Sequence, residues 1–176
     1  MAFTSGDQRA SNKVGIDVMK VRIPGHVSFD SFVDSVGDQV GYPFVYNPLL
    51  TWIQLTQTER HSLNIEVSPS QQLQRFFWMW TLKEAYTKAL GLGLGFDFRR
   101  VEFDVVNLTV RVDGQIPQGW RFSMFAIEVG EDSYQGVVAE HVGGTATEVV
   151  NESMKPNWLT IHDAVQFTEH AITDLK

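Results

Sequence analysis

An α+β domain is what this sequence predicts, and three stretches carry that prediction. Residues 13–21, Lys13-Val14-Gly15-Ile16-Asp17-Val18-Met19-Lys20-Val21, alternate in character and are rich in β-branched side chains, the pattern of a strand. Residues 69–90 read as one long helix. From residue 98 onward the chain is a run of strands joined by short turns, which an antiparallel sheet accommodates. One long central helix packed on an antiparallel sheet belongs to the α+β class.

In the first strand Val14, Ile16 and Val18 share one face, and Asp17 and Met19 share the other. Aspartate is disfavoured inside a strand, so Asp17 is either an exposed-face residue or a placed functional group. Residues 22–55 are less regular. Pro24-Gly25 turns the chain, Ser28 can cap a short helix through about Val36, and Gly37, Gly41 and Pro43 interrupt it. Phe44, Tyr46, Leu49, Leu50, Trp52 and Ile53 are too apolar for a free linker; they pack on the core or form a partner-facing flap, and packing is the better reading. A further short helix opens at Thr58-Glu59-Arg60. The central helix starts with Ser68 as N-cap and Pro69 at its first position, and it stops at Gly91, where glycine takes the left-handed cap without a steric penalty. Strands follow over residues 98–105, 108–112, 120–129 and 134–142, the last two joined through Gly130-Glu131-Asp132. The expected organisation is a flexible tail at 1–12, a folded domain at 13–142, a mobile acidic linker at 143–157, and a helix at 158–176 that docks back.

Composition bounds the function. The 176 residues allow one domain or slightly more, and 43% hydrophobic content supports a real core. A net charge of −7 with no basic block argues against a nucleic-acid surface and against an anionic-membrane patch. The absence of cysteine removes disulfides, thiolate metal sites and a cysteine nucleophile. No apolar run approaches membrane-span length, and residues 1–13 lack the apolar core of a signal peptide, so a cytoplasmic location is the expectation.

The chemistry concentrates on the central helix. Its apolar stripe runs Leu73, Phe77, Trp80, and the same line continues to Glu84 and Lys88. A charge on a buried line must find a partner, a metal or a ligand. The plainer alternative is an i,i+4 Glu84–Lys88 pair at the helix end, contributing a few tenths of a kcal/mol. No serine nucleophile elbow occurs, and His26, His61, His141, His162 and His170 lack zinc-ligand spacing. Gly91-Leu92-Gly93-Leu94-Gly95 follows a helix instead of opening one, and no lysine-hydroxyl pair follows it, so it is neither a dinucleotide fingerprint nor a Walker loop. What remains is oxygen chemistry: Asp17 and Glu84 as hard ligands, with Lys83 and Lys88 nearby. Carboxylates completed by phosphate oxygens and water suit magnesium, and a divalent cation beside lysines suits phosphate transfer.

Val14-Gly15-Ile16-Asp17, taken with Trp80-Thr81-Leu82-Lys83-Glu84-Ala85-Tyr86-Thr87-Lys88-Ala89-Leu90-Gly91-Leu92-Gly93, resembles the paired signature of 4′-phosphopantetheinyl transferases. The stretch through Phe96-Asp97-Phe98-Arg99-Arg100-Val101-Glu102-Phe103-Asp104 resembles the eukaryotic aminoadipate-semialdehyde-dehydrogenase type, tied to lysine biosynthesis, within the Sfp-like group. The resemblance covers roughly residues 14–142. It implies magnesium-dependent transfer of 4′-phosphopantetheine from coenzyme A to a serine of an acyl or peptidyl carrier protein, releasing adenosine 3′,5′-bisphosphate. By position it makes Asp17 and Glu84 the metal ligands, Glu84 the candidate base for the serine proton, directly or through a metal-bound water, Lys88 a phosphate-neutralising group and Lys83 a weaker candidate for that role. Met19 stands where many bacterial members carry a second acid, and methionine is a poor magnesium ligand, so water takes that place. The resemblance extends only to the second half of a pseudo-dimeric fold. It therefore also admits a catalytically incomplete half-domain that binds coenzyme A or a carrier protein without turnover, or one that self-associates or pairs with a missing N-terminal half. Part of the aromatic run Phe76-Phe77-Trp78-Met79-Trp80 is then expected at an interface.

Overall fold

The computed structural model describes residues 13–23, 55–64, 67–93, 96–160 and 165. In chain order its elements are β1 (Val14–Lys20), α1 (Gln57–Asn64), α2 (Pro69–Leu90), β2 (Val101–Asp104), β3 (Thr109–Val112), β4 (Trp120–Val129), β5 (Asp132–His141) and β6 (Glu148–Asn151), with single 3-10 turns at Phe98–Arg100 and Glu152–Met154. The readings made above for residues 1–12 and 24–54, and most of the expected C-terminal helix, lie outside the described residues.

The main sheet has the order β1-β5-β4-β6, and β2 and β3 form a separate hairpin. β1 pairs antiparallel with β5, placing Asp17 opposite Val137, and β4 pairs antiparallel with β5. The sheet is not wholly antiparallel, because β6 joins β4 in parallel, with Phe122 opposite Val149. Residues 148–151 of the expected 143–157 linker are thus part of the sheet. The alternation in β1 is real, but its faces are used the other way round from a simple hydropathy reading. Gly15 and Asp17 are buried, whereas Val18 is exposed.

α2 explains that inversion. It begins as expected: Ser68 accepts from the Gln71 amide, and the Gln71 side chain accepts from the Ser68 amide, a capping box with Pro69 in the first turn. It ends at Gly91, whose φ of 69° is the left-handed cap. Between its ends α2 is enclosed on several sides. It packs on β1 and β5, and it also meets α1 and β2. Phe76, Phe77, Met79, Trp80, Leu82 and Ala85 are all buried in one core with Phe103, Val110, Phe122 and Val137. The aromatic run therefore serves the domain's own interior. Only Trp78 is partly exposed, and its indole N–H faces the side-chain amide group of buried Gln135. A helix held between two layers has no single apolar stripe, so extrapolating one misplaces the buried charge.

Candidate functional site

The site begins with a missing side chain. Gly15 lies where α2 crosses β1, and a Cβ there would stand 2.2 Å from the Ala85 carbonyl oxygen and 2.4 Å from the Ala89 amide nitrogen. Glycine lets the helix backbone rest directly on the strand, with small Ala85 and Ala89 completing the contact. Two residues later on the same face, Asp17 is brought to the last turns of α2. The Lys88 ammonium donates to Asp17 Oδ1 at 2.6 Å. The Asp17 side chain is 10% exposed and that of Lys88 49%, so the lysine approaches a recessed carboxylate from the solvent side.

The second oxygen, Asp17 Oδ2, is buried and accepts no hydrogen bond. A buried carboxylate oxygen left without a donor is costly, and each such atom calls for an explanation. Glu84, one helical turn before Lys88, is half-buried. Burial pushes its carboxyl above the usual range and the charge of Asp17 pushes it further, with Lys88 opposing both. Asp17, with its orphaned oxygen, and Glu84, whose ionisation it disfavours, form a donor set suited to a hard divalent cation. Asp17 and Glu84 are the residues that could hold one. Among the described residues no group of three or more His, Asp or Glu side chains forms a cage, so water or ligand oxygens would have to complete the shell. Met19, on the same face as Asp17, is half-buried and packs against the core.

Asp17, Glu84 and Lys88 therefore come together. The expected Glu84–Lys88 pair is replaced by Lys88–Asp17, since strand and helix touch at Gly15 and bring the aspartate within reach.

Lys83 requires a correction. It is fully buried, and its ammonium donates to Glu59 Oε2 at 2.6 Å and to the Phe98 carbonyl at 3.1 Å. The rest of Glu59 is occupied too, Oε2 by the Thr56 amide and Oε1 by the Phe103 amide. Burial pulls the Lys83 ammonium below its ordinary pKa, and Glu59 opposes that pull. A cation enclosed in this way is a core tie and is not presented to a phosphate. Sequence reasoning missed the tie, although Thr56-Gln57-Thr58-Glu59 is a capping-box spacing, and the helix starts at Gln57, one residue earlier than expected. Arg99 and Arg100, the adjacent basic pair past the glycine loop, face Asp97 and Asp113 respectively.

Fold and site together define an α+β domain with a two-carboxylate, one-lysine centre between an edge strand and a central helix. The model of the 4′-phosphopantetheinyl transferase superfamily matches residues 13–139, and this chain belongs to that superfamily. It is 40% identical over 176 residues to the 4′-phosphopantetheinyl transferase pptA of Paxillus involutus, covering 99% of this chain and 62% of that protein. It is 31% identical over 100 residues to the L-aminoadipate-semialdehyde dehydrogenase-phosphopantetheinyl transferase of Xenopus laevis, covering 57% of this chain and 28% of the other. The Homo sapiens protein of the same name is 28% identical over 127 residues, covering 66% and 36%. The chain thus spans under two thirds of the length of each of these relatives. Among the described residues no helix is long and apolar enough to cross a membrane.

Proposed function

We propose that this chain carries the catalytic centre of a magnesium-dependent 4′-phosphopantetheinyl transferase, acting on coenzyme A and a carrier-protein serine. The observation that carries the reading is the unpartnered, buried Asp17 Oδ2 beside Glu84 and Lys88. Asp17 and Glu84 would hold the magnesium, which when bound would polarise the pyrophosphate of coenzyme A. Glu84, its proton affinity raised by burial, is suited to take the proton of the serine hydroxyl. The serine oxygen forms a bond to the β-phosphorus, the bond to the departing 3′,5′-bisphosphate breaks, and the proton goes to Glu84. Lys88, half-exposed at the mouth of the site, is available to the phosphates. Lys83 takes no part in phosphate binding in this reading. The assay is transfer from coenzyme A to an apo carrier protein with magnesium. Asp17→Asn and Glu84→Gln should each lower turnover by about a hundredfold or more, and near-normal turnover in either variant would refute the assignment.

A second reading rests on the chain spanning 62% of the fungal protein. In it the chain is an incomplete half that binds coenzyme A or carrier protein and turns over only when paired with another copy or with the remainder. The described residues favour that need for a partner in one respect: Arg99 and Arg100 already face carboxylates and offer no free cluster for a 3′-phosphate. Solution mass measured alongside the transfer assay separates the readings, since an efficient monomer excludes the second.

A further inference from the structure

We propose that Lys88 is a resident counter-cation that competes with the metal for Asp17, so that the phosphate-binding lysine itself offsets part of the negative charge that a metal would otherwise meet. The inference deepens the function proposed above and rests on its assignment of Asp17 as a metal ligand. Three observations carry it. The Lys88 ammonium sits 2.6 Å from Asp17 Oδ1, on the carboxylate that a cation would need. The aspartate is fixed and recessed, its side chain 10% exposed on a strand pressed against α2 at Gly15. The lysine is 49% exposed, so its flexible stem can swing away without opening the core.

Charge explains the exchange. With both acids ionised the pocket holds Asp17, Glu84 and Lys88, a net charge of −1. A divalent cation added while Lys88 stays would reverse that sign and place two cations on one carboxylate, which is repulsive at such distances. Lys88 has two possible anionic partners, Asp17 and the phosphate of a bound ligand. The same residue then opposes metal alone and favours metal with a phosphate ligand. The two would bind with positive coupling, because the phosphate supplies the lysine with a replacement for the carboxylate it gives up.

The test is calorimetry on the full chain with manganese(II) alone as probe, followed by coenzyme A in the presence of that ion. Lys88→Met keeps the stem and removes the charge. It should tighten binding of the metal alone by about two- to fivefold, the range of a partly exposed ion pair, while weakening coenzyme A. Lys88→Arg keeps the charge and should leave metal affinity unchanged or weaker. Asp17→Asn should abolish metal binding. If Asp17→Asn removes binding but Lys88→Met binds the metal no more tightly than wild type, the competition is refuted and the metal assignment stands. If wild type and Lys88→Met both fail to bind the metal, the site assignment itself fails and the competition with it.

Discussion

The centre of this site is an imbalance at Asp17: one oxygen holds a lysine at 2.6 Å and the other, buried, holds nothing. Glu84 shares that tension, and its raised pKa has a stability consequence. Because the folded value lies above the unfolded one, the protonated carboxyl favours the fold. That contribution is full below the unfolded value of about 4.3 and is lost as pH rises through the folded value. Glu84→Gln, which cannot ionise, should therefore be more stable than wild type in urea at pH 8 and lose the advantage at pH 4. An equal difference at both pH values would show that Glu84 does not titrate as its surroundings require. The Lys83–Glu59 pair makes a different prediction. Glu59→Gln should cost about 3–5 kcal/mol, because it leaves a buried ammonium without its counter-charge. Glu59→Gln with Lys83→Met should recover most of that loss in urea unfolding, since neither charge then remains. A double variant as unstable as the single one would mean that packing around Glu59, and not charge, holds these elements together.

At the level of elements, the decisive contact is α2 on β1. Gly15→Ala places a methyl group against main-chain atoms of Ala85 and Ala89, which can yield only if the helix lifts. We expect a loss of about 3 kcal/mol, the upper end for overpacking, and weakened binding of divalent metal, because Asp17 and Lys88 would separate. Wild-type stability and metal affinity in Gly15→Ala would show that the contact has slack. The boundaries of α2 were legible in Ser68-Pro69 and Gly91, because caps act through local backbone geometry. Strand β4 was equally plain, bounded by Gly119 and Gly130, both at positive φ. The buried face of β1 was not. Hydropathy favours the side with Val14, Ile16 and Val18, but the close approach at Gly15 turns the side with Asp17 inward, and a glycine has no hydropathy with which to announce it. Lys83 was misread for a related reason. Its partner is 24 residues away on another helix, and a long-range ion pair leaves no periodic trace.

Over the whole molecule, the family match ends at residue 139 but the folded sheet does not. β6 lies along β4, and past its end the Ser153 hydroxyl takes the Ala126 amide. Nearer the start of β4, the Thr147 hydroxyl takes the Trp120 amide, and Glu152 binds Arg121. These residues were expected to be a linker because they are small and acidic. Their role in the fold depends on backbone groups and on β4 lying alongside, neither of which composition records. Cutting the chain after Val142 would strip that margin from a ten-residue strand containing Trp120, Phe122, Met124, Phe125 and Ile127. Its unpaired amides and carbonyls would then offer a template to any neighbouring chain. The shortened protein should form soluble aggregates at concentrations where residues 1–176 do not, measured by light scattering, and a well-behaved 1–142 fragment would contradict this. If the fragment does aggregate, the segment that carries β6 is a guard against self-templated polymerisation, because it occupies the edge of β4 that another chain would otherwise extend.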